Sequence, residues 1–551
     1  MQKTCAVSGK KFIITDEDKV FYEKMGVSEP TLCPAERMRR RLAWRTQWTL
    51  YRRKCDKSGK TILSMYHPDA PFPVYHLSEW RDDTKYDPLE YGRDFDFSRP
   101  FFEQYAELLN VVPHPHAIIQ DPIENSEYSN RAANIRNCYL SFGISNGEDL
   151  MYCETGFNLR DCVDGYMITD CELCYECVTC TNCYASCFLF QCQNCSDSWF
   201  LQNCIGCKNC FGCTNLRNKQ YYFLNEKLSK EAYEEKIKSL ELHKWSQIKN
   251  MRHQFFEFAK RQPHKYGNVV NVEDCTGDDL KDCKNCKDCY DMEGAEDCRY
   301  GFFMKKNVHH CYDNSFWGNN FHHCYETSSC GIDSEELRFC FESWHDQNLT
   351  YCGNCQHSQN CFGCYGLKKY QYCIFNKQYT KEDYFALREK IIEHMKKTGE
   401  WGEFFPIEMS PFGYNETVAH EYFPLKKEEA LALGYGWRDK EIQAEYQGVD
   451  VQVSDSIHDV TEDVLKEILT CEKTGKNYRL VKSEFKFYKQ MGLPIPRICP
   501  EERHLVRLNM RNPRILHDRQ CDQCSADIKT TYSPDRPEKV YCEQCYLNTV
   551  T

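Results

Sequence analysis

The sequence reads as mainly β: two tandem cysteine-rich β-solenoid segments capped by helices, flanked by small α+β metal-ribbon-like modules. Three observations predict this. The 38 cysteines of the 551-residue chain are sparse at its ends and dense in its middle, with fifteen from Cys138 to Cys213 and fourteen from Cys275 to Cys373. Fourteen of the first fifteen share one three-residue register, with only Cys187 outside it, in a stretch too poor in helix formers for a helix and too regular for a loop. The chain also repeats itself at an offset of 466 residues between its ends and of 151 within its middle, the mark of duplicated units.

Residues 1–110 read as a degenerate tandem ribbon module with a basic helix, and residues 466–551 as a degenerate ribbon, a basic helix and an intact ribbon. The 466-residue offset pairs Cys5 with Cys471, Phe21-Tyr22 with Phe487-Tyr488, Cys33-Pro34 with Cys499-Pro500 and Arg41-Leu42 with Arg507-Leu508. Each Cys-Pro pair opens a predicted helix, with proline at its first turn, an acidic residue close behind and basic residues along its length. Arg37, Arg39, Arg40, Arg41, Arg45, Arg52 and Arg53 gather beside Trp44 and Trp48; Arg503, Arg507, Arg511 and Arg514 are the C-terminal set. Residues 1–55 carry thirteen Lys+Arg against six Asp+Glu and residues 471–519 twelve against five, so both ends are net +7 in a chain of net charge -12. Two readings stand side by side: these arginines contact nucleic-acid phosphates, with tryptophan available for stacking, or they bind the protein's own acidic middle.

Residues 111–225 and 265–380 are the two predicted solenoids. Asparagine precedes the thiol in Asn182-Cys183, Asn194-Cys195, Asn203-Cys204 and Asn209-Cys210. It tolerates the corner conformations that turns require, while cysteine is small and apolar enough to stack in a narrow interior. NCIGCKNCFGC at 203–213 recurs as NCQHSQNCFGC at 354–364, and each copy runs on into a helix, SKEAYEEKIKSL or TKEDYFALREKI, opened by a Ser or Thr cap. Such a helix closes a rung edge that would otherwise invite aggregation. Residues 226–264 read as a helical connector, and 381–465 as a helix followed by an aromatic linker that wraps the solenoid.

Cys-x2-Cys runs such as Cys171 to Cys183 invite a metal reading, but extended rungs set thiols in parallel rows rather than in a tetrahedral cage, which favours a thiol ladder. His309-His310 and His322-His323, thirteen residues apart, are a candidate transition-metal patch or a repeat between adjacent rungs. The strongest ligand set is Cys521-x2-Cys524 with Cys542-x2-Cys545, which offers four thiolates to zinc. In the N-terminal counterpart Cys55 is kept while Ser58, His76 and Glu79 replace the other three cysteines, leaving Cys55, His76 and Glu79 as a weaker mixed set. Cys5 with Cys33 and Cys471 with Cys499 are half sets.

The segments CAVSGKKFIITDEDKVFYEKMGVSEPTLCPAER and CEKTGKNYRLVKSEFKFYKQMGLPIPRICPEER resemble a zinc-ribbon family built on Cys-x2-Cys-Gly, Phe-Tyr, Gly, Pro and Cys-x2-Cys-Arg. The resemblance implies four thiolate ligands per copy. Ser8, Thr474, Glu36 and Glu502 stand at half of those positions, which favours metal-free modules held by their aromatic cores. As a whole the chain resembles cysteine-rich proteins with zinc-ribbon ends encoded by small-genome candidate-phylum bacteria, a resemblance that implies no particular activity.

A mean hydropathy of -0.70 leaves no apolar run of about 20 residues to span a membrane. The start MQKTCAVSGKKF lacks an apolar signal region, so a cytoplasmic protein with reduced thiols and no membrane partner is expected. No phosphate loop, Gly-x-Ser-x-Gly elbow, His-Glu-x-x-His helix or dinucleotide fingerprint occurs, and no catalysis is expected. The leading expectation is a non-enzymatic zinc-binding scaffold whose basic modules bind nucleic acid, RNA or a ribonucleoprotein being favoured. The alternatives are thiol-based metal storage or redox buffering by the solenoid, and a scaffold for protein partners.

Overall fold

Every third residue of the cysteine-rich middle turns a corner. In the computed structural model, which describes residues 1–319, 322–439 and 453–550, Asn182, Asn194, Asn203 and Asn209 have φ of +52°, +53°, +52° and +48°. This left-handed region strains most side chains and suits asparagine and aspartate. Four three-residue sides complete a layer, because Glu154 pairs in parallel with Phe142 below it and with Tyr166 above it, twelve residues away in each direction. The first column runs from Ile119 to Phe223 and the second from Val269 to Ile374. The second column keeps twelve-residue layers at Tyr290 with Phe302 and Gln347 with Gln359, but uses thirteen at Tyr312 with Tyr325. Each ends in an antiparallel hairpin, Gln220–Phe223 with Glu226–Lys227 and Gln371–Ile374 with Lys377–Gln378, which blocks further parallel pairing.

The residue after each corner points inward, which accounts for the three-residue cysteine register. A side of three residues leaves room for one small inward side chain, and the thiols pack there with leucine and isoleucine. Many of the thiols also lie against backbone carbonyls two residues back and nine residues on: Cys174 reaches Glu172 O at 3.4 Å and Cys183 O at 3.5 Å, and Cys195 reaches Gln193 O at 3.3 Å and Cys204 O at 3.5 Å. Cys187, the exception to the register, instead lies in the apolar cluster that the first column shares with Phe487 and Tyr488.

A helix precedes each column, Phe101–Val111 and Trp245–Lys260, and another follows it, Lys230–Ser239 and Lys381–Thr398. The last two are capped as expected, by Ser229 Oγ on Ala232 N at 3.1 Å and Thr380 Oγ1 on Asp383 N at 3.2 Å. The aromatic linker lies against the columns and the N-terminal module, with Phe405 packed on Trp44, Tyr105 and Phe341. Its stretch 440–452 lies outside the described residues.

Both end modules share one order: a hairpin, two helices, a second hairpin and a short strand. In the N-terminal copy these are Gln2–Thr4 with Lys11–Ile13, then Asp16–Met25 and Pro34–Leu42, then Tyr51–Lys54 with Thr61–Ser64, then Val74–Tyr75. Gly26 and Gly492 end the equivalent first helices at φ of +65° and +63°, where a side chain would be strained. The modules dock crosswise. Phe21 of the N-terminal module stacks on Tyr312 of the second column, while Phe487 and Tyr488 of the C-terminal module pack on Tyr175 of the first. Each short strand then pairs at the entry to the other column, Val74 with His114 and Val540 with His264. Each module therefore bridges both columns.

Candidate metal centre and arginine clamps

The four C-terminal cysteines converge because a hairpin turn faces the start of a helix. Cys521 and Cys524 sit in the turn joining His517–Gln520 to Asp527–Thr530, closed by Cys521 N on Ala526 O at 2.8 Å and by Ser525 at φ +60°. Cys542 and Cys545 lie at the start of the helix Glu543–Val550. All four sulfurs lie within 4.8 Å of one another, and Cys524 and Cys542 are 3.7 Å apart. A tetrahedron of Zn–S bonds of about 2.3 Å has sulfur–sulfur edges of about 3.8 Å, so the cage fits a metal such as zinc. Burial opposes ionisation of Cys521, but N–H donors from Cys542, Cys524 and Gln523 outweigh it and bring the thiol down to about 6. A hydrogen bond with Cys524 pushes Cys545 up to about 12, so the group shares protons that a cation would displace.

The weaker sets do not assemble in this way. Cys55 keeps the cradle of Cys521, accepting from Ser58 N at 3.5 Å and His76 N at 3.3 Å. However, the His76 ring turns to Ser78 Oγ at 2.8 Å and stacks on His116, and Cys55, His76 and Glu79 are not among the converging groups. Ser8 Oγ lies 3.8 Å from Cys33 Sγ, beside Cys5, while Glu36 is taken by Arg39. In the Cys471 and Cys499 frame, Glu502 is taken by Lys473 at 2.7 Å. The carboxylates at the fourth-ligand positions are thus spent on cations of their own module. His309 stacks on His322 at 5.6 Å and His310 on His323 at 5.4 Å, with Glu296, Asp297 and Glu336 beside them. These imidazoles form two parallel ladders, and their thirteen-residue spacing equals the local layer length.

The arginines expected to meet nucleic acid face inward. Arg37 Nε and Arg41 Nη1 both grip Asp313, at 2.9 and 3.1 Å, with all three side chains at most 1% exposed. Arg37 Nε pairs with Asp313 by charge but out of hydrogen-bond alignment, whereas Arg503 Nε and Arg507 Nη1 both hydrogen-bond the equivalent Asp164 at 2.7 Å. Arg40 forks onto Glu326 at 2.7 and 2.9 Å and reaches Glu403 at 2.9 Å. Arg45 donates to Ser329 at 2.6 Å and lies over the Phe316 ring, and Arg39 bonds Glu36. Arg53 holds His67 O and Asp56, and Arg511 and Arg514 hold Asp279 and Asp291. Of the eleven arginines, Arg52 alone is exposed. The expectation of a phosphate-binding face at these residues is therefore corrected: four or five spaced arginines mark one side of a helix, and here that side is turned to the carboxylates of a column. Trp44 and Trp48 go with them, Trp44 against Phe341 and Trp48 against Phe142 and His504.

Sequence reasoning named the arginines but missed their partners Asp164, Asp313 and Glu326. Asp164 and Asp313 occupy corner positions, at φ +58° and +56°, like the corner asparagines and aspartates that bond one another along the column, such as Asn134 with Asn146 and Asn158 with Asp170. The one available signal was the charge balance between basic ends and acidic middle. No protein-family model matches the chain, and no curated protein matches it in sequence.

Proposed function

We propose that the chain is a non-enzymatic zinc-binding scaffold for a protein partner: two cysteine-lined β-solenoids locked together by two crossed, ribbon-like end modules, the C-terminal one built around zinc on Cys521, Cys524, Cys542 and Cys545. The observation that carries this reading is the duplicated clamp, in which one buried aspartate of each column is gripped by two helical arginines from the opposite end of the chain. Removing one member of such a buried pair costs several kcal/mol, so the clamps hold modules and columns as one body. The same clamps withdraw the support for binding RNA or a ribonucleoprotein through these residues. Metal storage is disfavoured because, among the described residues, neither converging ligand group contains a column cysteine. All 38 cysteines are free thiols, which suits a reducing compartment, and no helix among the described residues is long and apolar enough to cross a membrane.

The test is fluorescence anisotropy of the intact protein with labelled RNA and DNA between 50 and 200 mM salt, values that bracket the usual electrostatic regime on the order of 0.1 M. The scaffold reading expects no salt-sensitive binding. Binding that weakens steeply with salt, and is lost on reversing the charge of the exposed Arg52, would return the reading to nucleic acid.

A further inference from the structure

One other group of ligand atoms converges. Glu154, Glu421 and His504 bring a carboxylate oxygen each and a ring nitrogen to within 4.8 Å of one another. Three distant stretches supply them: Glu154 opens the strand Glu154–Arg160 of the first column, Glu421 lies on the linker helix Val418–Tyr422, and His504 lies on the C-terminal module's helix Pro500–Leu508. His504 is 5% exposed and Glu154 3%.

The bonding at this seam is incomplete. Neither ring nitrogen of His504 has a hydrogen-bond partner, nor does Glu421 Oε2. His504 Nε2 lies 3.2 Å from Glu154 Oε2 but out of hydrogen-bond alignment. A buried imidazole with both nitrogens unused is costly and calls for a ligand. The surroundings resemble the outer shell of a metal site: Gln47 Nε2 donates to Glu154 Oε1 at 2.6 Å, the Trp48 indole N–H donates to Oε2, and the Trp48 ring lies 4.4 Å from that of His504. These contacts orient the carboxylate and hold the imidazole without occupying its nitrogens. The nearby Arg507 is committed to Asp164, and Arg45 to Gln47 and Ser329.

We propose that Glu154, Glu421 and His504 form a second metal centre, which takes a divalent cation suited to mixed oxygen and nitrogen ligands, namely zinc, iron(II) or manganese(II). Two carboxylates balance the charge of such a cation, and one imidazole nitrogen completes a three-residue set. The centre joins the first column, the linker and the C-terminal module, and it is independent of the thiolate site in both ligands and position.

The experiment strips the full-length protein of metal and titrates it with cobalt(II). A tetrathiolate site shows a sulfur-to-cobalt charge-transfer band in the near ultraviolet, whereas an oxygen–nitrogen site does not. The wild type is expected to bind two equivalents, only one of which adds to that band. Glu421→Gln and His504→Gln are each expected to bind one equivalent with the band intact, and the intact band shows that the C-terminal module has folded. Cys521→Ser with Cys545→Ser is expected to keep one equivalent without the band. A wild type that binds a single equivalent, or Glu421→Gln and His504→Gln variants that both keep the second, would overturn the assignment and leave the three side chains sharing protons instead.

Discussion

Replacing Asp313 with asparagine probes the clamp most directly. The side chain keeps its volume but loses its charge, stranding Arg37 and Arg41, whose side chains are at most 1% exposed. Breaking a buried pair from one side costs about 3–5 kcal/mol. Two stranded guanidinium groups push the cost up, while Glu326 Oε1, 3.9 Å from Arg37 Nε, offsets part of it, so the middle of that range is expected. With a urea dependence of about 2 kcal/mol per molar, a loss of about 4 kcal/mol moves the midpoint by about 2 M. Trp44 reports on the transition, because it is buried against Phe341 and Phe405 at ring distances of 4.9 and 5.1 Å. Limited proteolysis should release the N-terminal module from the variant before the columns are cut. The triple variant Arg37→Met, Arg41→Met and Asp313→Leu should recover most of the loss, since a packed apolar cluster often replaces a buried ion pair without penalty. A midpoint shift in Asp313→Asn of less than about 0.3 M, equivalent to about 0.6 kcal/mol, would refute the clamp and mean that these arginines are solvated and available to a partner.

Three further outcomes are expected. Chelating the metal from Cys521, Cys524, Cys542 and Cys545 should speed amide hydrogen exchange at His264 and Tyr266, which donate to Lys539 O and Tyr541 O, before exchange rises in the first column; uniform exchange in both columns would refute this coupling. A thiol reagent applied to the native, metal-loaded protein should modify Cys275, the one half-exposed column cysteine, and leave the other column thiols until unfolding; rapid reaction of many thiols would revive redox buffering. Burial, helped by the charge of Asp279, raises Asp278 from 3.8 to about 6, so the folded state holds its proton more tightly than the unfolded state and stability falls as pH rises from about 4 to 6. Asp278→Asn keeps an acceptor for Asn268 N and offers a donor to Thr531. It should be about 1–3 kcal/mol more stable than wild type at pH 7 and no more stable near pH 4; a difference that does not change with pH would count against the buried carboxyl.

The corner rule was legible in the sequence because a three-residue side leaves one inward position, and the small thiols that fill it print the register directly onto the chain. Asn182, Asn194, Asn203 and Asn209 announced the left-handed corners for the same local reason. The intact four-cysteine set was legible too, since its ligands lie on one hairpin and one helix start. The layer length was not, because a register of three fits any multiple of three. Nor was the face of the arginine helix, because an i, i+4 stripe states which side chains share a side and is silent on what that side meets.

The partner acids were hidden by a more specific cause. The two columns match at an offset of 151 near their ends, where Phe188 corresponds to Phe339 and Cys213 to Cys364, and at that offset Asp164 falls on Ser315 rather than on Asp313. Three successive thirteen-residue layers, Arg299 with Tyr312, Tyr312 with Tyr325 and Tyr325 with Arg338, account for the discrepancy. Before them the offset is 148, which pairs Tyr152 with Tyr300, and within them it is 149, which pairs Asp164 with Asp313. The contacts confirm this drifting alignment: Arg503 lies over the Tyr152 ring at 5.0 Å and Arg37 over the Tyr300 ring at 4.9 Å, each beside its aspartate. A rigid repeat offset therefore fails in a column whose layers differ in length, while the docking that the layers serve is preserved, because each added residue lengthens one side without changing which corner faces the module.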